Sequence, residues 1–158
     1  MESAGHLWQN PPASIHIKDF AVLEMTLTTL NGIPSFLAYF AVAIALLVTF
    51  AFIYSWVTPH HEFELIRANN MSAALAFGGA LIGFALPLSS AISHSLSIVD
   101  CAVWGLVALV VQVLTFLVLR VLVQQLPERI TRGEIAAGAL SAAVAIAVGH
   151  INAACMTY

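Results

Sequence analysis

The sequence predicts an all-α membrane protein with four transmembrane helices, arranged as two hairpins that repeat along the chain. Hydrophobic residues make up 61 % of the chain and charged residues only 8 %, whereas an ordinary soluble domain has about 25 % charged residues. Because lipid-exposed backbone must satisfy its own hydrogen bonds, helix is the expected structure. Each of four apolar stretches is long enough for a spanning helix of about 20 residues. They cover residues 33–57, 71–96, 101–126 and 135–157.

The first 32 residues are expected to form an N-terminal extension before the first span. Apolar side chains recur there at helical spacing: Phe20, Leu23, Leu27 and Leu30. This pattern predicts a short amphipathic helix over residues 20–30 on the membrane surface, with Asp19 as its N-cap. Gly32 and Pro34 are expected to separate it from the first span. A longer, kinked first helix is the alternative.

The repeat is predicted from an alternation of bulky and small side chains along the four stretches. The first and third are rich in Leu, Val and Phe, and the second and fourth in Ala, Gly and Ser. Residues 33–97 and 98–158 would form the two hairpins, and the segment from Met71 aligns with the segment from Glu134. Because each copy has two spans, both copies insert in the same direction, and the symmetry axis is expected along the membrane normal.

Glycines at helical spacing predict where the helices meet. Small residues let two backbones approach closely, which drives helix association where lipid supplies no hydrophobic force. The second and fourth helices are therefore expected to pack on each other, with the first and third facing lipid or neighbouring subunits. The alternative is that these small faces line a narrow path. The expected packing glycines are Gly79, Gly83, Gly138 and Gly149.

Polar side chains form a layer near one end of the spans, the expected outer leaflet. Polar groups inside membrane helices are costly and often functional, so this layer is the candidate polar or ion site, with Pro87 expected to kink its helix. One hypothesis joins Asp100 and His150 in a titratable site; the alternatives are contact with interfacial water and hydrogen bonds between helices. The layer comprises Ser89, Ser90, His94, Asp100, His150 and Asn152.

Three further groups were weighed as sites. Gln112 lies deep in the third span and is expected to bond across a helix or subunit contact, with a pore-lining role as the alternative. The cluster His60-His61-Glu62-x-Glu64 has metal-ligating side chains, but its spacing fits no closed ligand set, so no metal is predicted. Cys101 and Cys155 are expected to be buried free thiols, although an oxidising periplasm would permit a disulfide.

Basic residues predict the orientation of the chain in the membrane. Arg67 lies in the first loop, and Arg129 and Arg132 lie in the third. The positive-inside rule therefore places loops 58–70 and 127–134 in the cytoplasm and both termini outside.

A family resemblance rests on residues in the last three spans. Gly78-Gly79-x-x-x-Gly83 leads to Pro87, Ser89 and Ser90, Asp100 opens the next span, and Gly149-x-x-Asn152-Ala-Ala follows near the end. This series resembles the YjfL-like bacterial inner-membrane family, catalogued as domain of unknown function number 350. The resemblance covers about residues 33–158. It implies a small four-span protein of the inner (cytoplasmic) membrane, built of two hairpin repeats, and it implies no catalytic residues.

Composition and motifs exclude several functions. With five basic residues and a net charge of −3, binding to nucleic acid is not expected. The glycines lie in apolar spans without the lysine or strand of a phosphate-binding loop, and no cofactor is predicted.

The remaining classes differ in what the spans do. The expected function is an oligomeric interaction or scaffold subunit in the lipid bilayer, with copies of itself or membrane proteins as partners. A subunit of a channel or transporter for small ions or solutes is the alternative. An intramembrane lipid-modifying enzyme is least favoured, and no enzymatic activity is predicted.

Overall fold

The structure, a computed structural model, describes the backbone of residues 13–58 and 62–156 and the side chains of residues 21–58 and 62–156. No strand occurs in these residues. The helices are α1 Ala13–Val57, α2 Glu62–Arg67, α3 Met71–His94, α4 Ile98–Leu122, α5 Leu126–Thr131 and α6 Ile135–Cys155.

Four of these helices are long and apolar enough to cross a membrane. The qualifying segments are Ala21–Val57, Met71–His94, Ile98–Leu122 and Ile135–Cys155. The prediction of an all-α membrane protein with four spans is therefore confirmed. The short helices α2 and α5 lie directly before α3 and α6.

The expected separate helix over residues 20–30 is wrong, because α1 continues through Gly32 and Pro34. Asp19 lies inside α1, which begins at Ala13, and so does not occupy an N-cap position. Proline removes one N–H from the helical ladder, whereas a full break inside lipid would leave several backbone groups unsatisfied. The longer first helix is therefore the less costly structure.

The chain divides into two compact units, residues 1–37 and 38–158. In the first, every described side chain from Ala21 to Leu37 is exposed. The second contains the remainder of α1 and all the other helices.

Within the second unit, α1 packs against the other helices through large side chains spaced four residues apart. Leu46, Phe50 and Tyr54 are its buried hydrophobic residues. The Phe50 ring stacks on Phe84 of α3 with centroids 4.6 Å apart, and the Tyr54 ring lies 5.1 Å from that of Phe116 in α4. This aromatic cluster gives α1 a defined contact without close approach of its backbone.

Helix α3 forms the centre of this unit, and α6 is its main partner. Burial reaches 56 % of the apolar segment of α3 but only 28 % of that of α6, with 33 % for α4 and 17 % for α1. The expected packing of the two small-residue helices on each other is therefore observed, although α6 is less buried than α3. Helix α6 presents one face to α3 and leaves another exposed.

Candidate functional site

Glycines bring the backbones of α3 and α6 into direct contact. A Cβ atom on Gly79 would overlap Ala142, and one on Gly138 would overlap the backbone of Ser72. A Cβ on Gly83 would meet the carbonyl of Ala145. Because contacts advance in the same direction along both helices, α3 and α6 run parallel. No larger side chain fits at these positions without moving a helix.

Pro87 and Gly149 act together at one point of this contact. Proline has no N–H, so Pro87 leaves the carbonyl of Gly83, four residues earlier, without its usual helical donor. The position that a Cβ would take on Gly149 lies against that same carbonyl oxygen. An α-hydrogen of Gly149 therefore points at it, a weak contact that partly replaces the missing hydrogen bond. The proline and the glycine pair fix the register of α3 on α6.

Gln112, near the middle of α4, joins three helices. It lies on α4 with 2 % of its surface exposed, and its Nε2 atom donates to the carbonyl oxygen of Ala145 on α6 at 3.2 Å. The side chain reaches α6 by passing directly over Gly83 of α3. The Oε1 atom of Gln112 is buried and accepts no hydrogen bond from the part of the chain that the structure describes. The geometry accordingly shows the helix–helix contact, within one chain, that the sequence suggested for Gln112.

The residues of the predicted polar layer make several separate local contacts. Ser90 Oγ donates to the carbonyl of Ala153 at 3.0 Å, which ties the end of α3 to α6. His94 is exposed, with its Nδ1 2.9 Å from the Ser90 carbonyl. Ser89 is also exposed. Asn152 is half-buried, and its Nδ2 atom has no partner among the described residues.

Asp100 stabilises the start of α4. Ser97 is the N-cap, and its Oγ accepts from the Asp100 amide at 3.2 Å. The Asp100 carboxylate accepts in return from the amide of Leu96 at 3.1 Å. This reciprocal arrangement resembles a capping box, which satisfies orphan N–H groups at a helix start.

His150 lies exposed on α6, and within residues 21–58 and 62–156 no hydrogen bond or ion pair joins it to Asp100. The titratable site that would combine the two therefore stays a prediction.

Sequence reasoning missed Asn70, which connects the turns before α3 and α6. Its Oδ1 accepts from the Ala73 amide at 3.0 Å as the N-cap of α3. Its Nδ2 donates to the carbonyls of Ile130 and Thr131 at the end of α5, each at 3.0 Å. An asparagine directly before an apolar helix was the available signal, but its second set of partners is distant in sequence.

Glu134 stabilises the turn before α6 through ion pairs. Its carboxylate accepts from Arg129 Nε at 2.6 Å and from Arg132 at 2.8 Å. These hydrogen bonds hold the pKa of the Glu134 carboxyl below its ordinary value. Next to it, Ser72 Oγ donates to the Glu134 carbonyl at 2.8 Å. Loops one and three therefore meet at the same end of the helices.

Metal-ligating and thiol side chains are placed as follows. His60 and His61 lie outside the described residues. Among the residues that the structure describes, no three His, Cys, Asp or Glu side chains cluster as a metal site would require.

Both cysteines are free: Cys101 is buried as expected, whereas Cys155 is exposed, because it lies near the end of α6 on a face that α3 does not cover.

Comparison with known proteins decides the family. A family model described as "Domain of Unknown Function (DUF350)" matches residues 28–156. The chain belongs to this family. The resemblance to YjfL-like proteins is thereby confirmed, and the packing glycines, Gln112 and the Asn70 turn all lie within the DUF350 region.

Two relatives of this DUF350 chain are membrane proteins by name. The chain is 45 % identical over 129 residues to the UPF0719 inner membrane protein YjfL of Escherichia coli (strain K12), covering 82 % of this chain and 98 % of that protein. It is 25 % identical over 126 residues to the UPF0719 transmembrane protein YshE of Bacillus subtilis (strain 168), covering 78 % and 94 %. No solved structure matches. Together with its four apolar helices, these relatives identify this DUF350 chain as a multi-pass inner-membrane protein.

Proposed function

We propose that the protein is an oligomeric interaction or scaffold subunit of the inner membrane, in which α6 binds α6 of a second copy. In this proposal the protein catalyses no reaction, and its function lies in the surfaces that it presents. The single observation that carries the proposal is the exposed face of α6, which combines small residues with a histidine.

The exposed face of α6 has the spacing of a helix–helix seam. Its members alternate at intervals of four and three residues, the a and d pattern that keeps one face toward a partner helix. Three of them are alanines, so a second backbone can approach closely. All of them are exposed in the single chain: Ala136, Leu140, Ala143, Ala147 and His150.

The position of His150 along α6 favours a second helix that covers this face. It lies about 22 Å along α6 at 1.5 Å per residue, well inside a hydrocarbon core about 30 Å thick. A polar side chain facing lipid at that depth is costly, and a neighbouring helix would offer it hydrogen-bond partners.

A second copy fits this face because of symmetry. All copies insert in the membrane in the same direction, so a two-fold axis along the membrane normal would pair α6 with α6 in parallel. A two-fold interface uses the same patch on both subunits, and the α6 face is suited to pack on itself since its alanines are small on both sides.

The proposed orientation gives the scaffold a cytoplasmic surface. Loops 58–70 and 127–134, with Arg67, Arg129 and Arg132, would lie in the cytoplasm, and both termini in the periplasm. Alkaline phosphatase, which is active only in the periplasm, should be active when fused after Tyr158. An inactive fusion to a folded protein would reverse this orientation.

Cysteine cross-linking in native membranes tests the α6 interface. In a background carrying Cys101→Ala and Cys155→Ala, the variants Ala143→Cys and Ala147→Cys should form disulfide-linked dimers on oxidation with iodine. The matched controls are Val110→Cys and Val118→Cys, because these valines of α4 are 54 % and 56 % exposed but lie on a bulky face. They should remain monomeric.

Two results would overturn the proposal. Equal cross-linking on α4 and α6 would indicate random collision between chains. A monomer by native mass spectrometry in nanodiscs, without cross-linking at either α6 position, would show that this face meets only lipid.

His150 also favours a second candidate function, a channel or transporter for small ions or solutes. If several copies arranged α6 around a central axis, the His150 side chains would line a path between subunits. Purified protein in liposomes would then conduct ions, and His150→Leu would abolish the flux. Flux equal to that of empty liposomes would exclude this candidate and leave the scaffold.

A further inference from the structure

A small cavity lies where α1, α3, α4 and α6 meet, next to Gln112. It has about 10 Å³ of room for the centre of a water-sized sphere, which corresponds to about one water molecule. Eight of its nine lining residues are buried. Four of the nine carry polar side chains, from three helices: Tyr54, Gln112, Thr115 and Ser141.

We propose that this cavity binds a single water molecule, which donates a hydrogen bond to Oε1 of Gln112. This atom is the one polar group of the junction that is both buried and without a partner in the described chain. The amide of Gln112 cannot turn to satisfy it, since Nε2 is held by the Ala145 carbonyl. A buried acceptor without a partner is expensive, and a water molecule removes that cost.

The other polar side chains complete the coordination of one water. Thr115 Oγ1 donates to the Val111 carbonyl at 2.8 Å, and Ser141 Oγ donates to the Ala137 carbonyl at 2.9 Å. Each hydroxyl oxygen therefore keeps a lone pair, and one of the two accepts the second hydrogen of the water that is bound to Gln112. The Tyr54 hydroxyl supplies a donor. Buried waters typically make about three hydrogen bonds, and this cavity provides them.

The chemistry of the lining favours water over a cation of similar size. The cavity is lined by a phenol, an amide, two hydroxyls and apolar groups, with no charged side chain. The lining itself offers a cation no carboxylate, since the buried Glu62 is not part of it, and burying a cation among neutral groups is more costly than burying a neutral molecule. The site is independent of the proposed oligomer, because one chain supplies every lining residue.

Nuclear magnetic resonance on the full chain in nanodiscs tests the site. Protein labelled with ¹⁵N-glutamine gives a side-chain amide signal for Gln112, assigned by its loss in Gln112→Leu. We expect a nuclear Overhauser cross-peak between this amide and water. Its sign and build-up rate should be those of a bound water that exchanges slowly with bulk solvent. Tyr54→Phe keeps the ring in the aromatic cluster but removes the donor, and should weaken the cross-peak at least two-fold. Val118→Ala, on the exposed face of α4, is the control and should leave it unchanged.

Each contrary outcome overturns the proposal. The absence of a water cross-peak in the folded wild-type protein would mean that the cavity is dry. A cross-peak of equal strength in Tyr54→Phe would place the water elsewhere. A shift of the Gln112 signal when N-methyl-D-glucamine replaces Na⁺ at constant ionic strength would identify a cation, and not water, as the occupant.

Discussion

The turns before α3 and α6 follow the same backbone course but are held by different side chains. The two turns are residues 68–70 and 132–134. In each turn, the N–H of the second residue donates to the carbonyl oxygen of the residue three positions earlier. The N–H of the third residue donates to the carbonyl oxygen of the residue five positions earlier. The bonds are Asn69 to Ile66 at 3.0 Å, Asn70 to Leu65 at 2.9 Å, Gly133 to Ile130 at 2.9 Å and Glu134 to Arg129 at 3.0 Å.

The middle residue of each turn has a left-handed backbone. Its φ is +61° at Asn69 and +79° at Gly133. Glycine adopts this region without steric cost, and asparagine is among the few other residues that tolerate it. The position that needs conformational freedom in the turn before α3 is therefore Asn69 and not its neighbour Ala68.

The third residue shows the main difference between the turns. Asn70 caps α3 with its own side chain and bonds to α5, whereas Glu134 makes no side-chain cap and pairs with two arginines. A neutral, multiply bonded residue therefore fixes one turn, and an exposed ion cluster fixes the other. The first should contribute more stability, because exposed ion pairs contribute little.

Replacing Asn70 should have the largest effect. Asn70→Ala removes a helix cap, typically about 1 kcal/mol, and two hydrogen bonds to α5 of about 0.5–1.5 kcal/mol each. We expect the free energy of unfolding, measured by SDS titration in mixed micelles, to fall by about 2 kcal/mol. Asn70→Asp keeps the cap acceptor and should lose less. A wild-type unfolding curve for Asn70→Ala would mean that the bridge between the turns contributes nothing.

Gly133→Ala should have the second-largest effect on the free energy of unfolding. A β-carbon at φ +79° is strained, and the same titration should show a loss of about 1 kcal/mol. Gly78→Ala is the matched control, because its Cβ would meet nothing within 4 Å, and alanine favours a helix interior. Equal destabilisation of both variants would remove the backbone explanation.

Asn69→Gly tests the same position in the other turn and should have the smallest effect of the three turn substitutions. Glycine relieves the left-handed strain but increases the entropy of the unfolded chain. The net change in unfolding free energy is expected within about 0.5 kcal/mol of zero. A loss above about 1 kcal/mol would show that the Asn69 side chain, and not its backbone, holds this turn.

Acid should weaken the α6 turn slightly and leave the α3 turn unchanged. Because hydrogen bonds from Arg129 and Arg132 lower the pKa of Glu134, its contribution is complete above the ordinary carboxyl pKa of about 4.3. It is lost as the pH falls from there through the lowered pKa. The difference in unfolding midpoint between wild type and Glu134→Gln should shrink on going from neutral pH to about pH 3. A difference independent of pH would exclude the ion pairs as its source.

The spans and the close contact of α3 with α6 followed from the sequence, because apolar length and glycine spacing are local signals. The packing glycines, Gly79, Gly83, Gly138 and Gly149, all lie at that contact. The two turns pair Asn70 with Glu134, one residue away from the predicted alignment of Met71 with Glu134. The internal repeat itself stays a prediction.

Other features depend on partners that sequence does not reveal. Gly32 and Pro34 favour the end of a helix in water. Helix α1 nevertheless continues through them, because interrupting a helix costs more free energy in lipid than in water. Asp100 was assigned to a polar site since its use as a cap depends on the backbone path at Leu96. Asn70 was missed because its partners at Ile130 and Thr131 lie 60 and 61 residues away.

The pairing of α3 with α6 has a consequence for biosynthesis. Ser90 and Ala153, which join the ends of these helices, are 63 residues apart in the chain. At roughly 5–20 residues per second, the ribosome needs about 3–13 s to make that segment. During this interval the glycine face of α3, with its uncompensated Gly83 carbonyl, lacks its partner helix. Helix α6 completes this contact, so a chain truncated before α6 should be a substrate for membrane quality control.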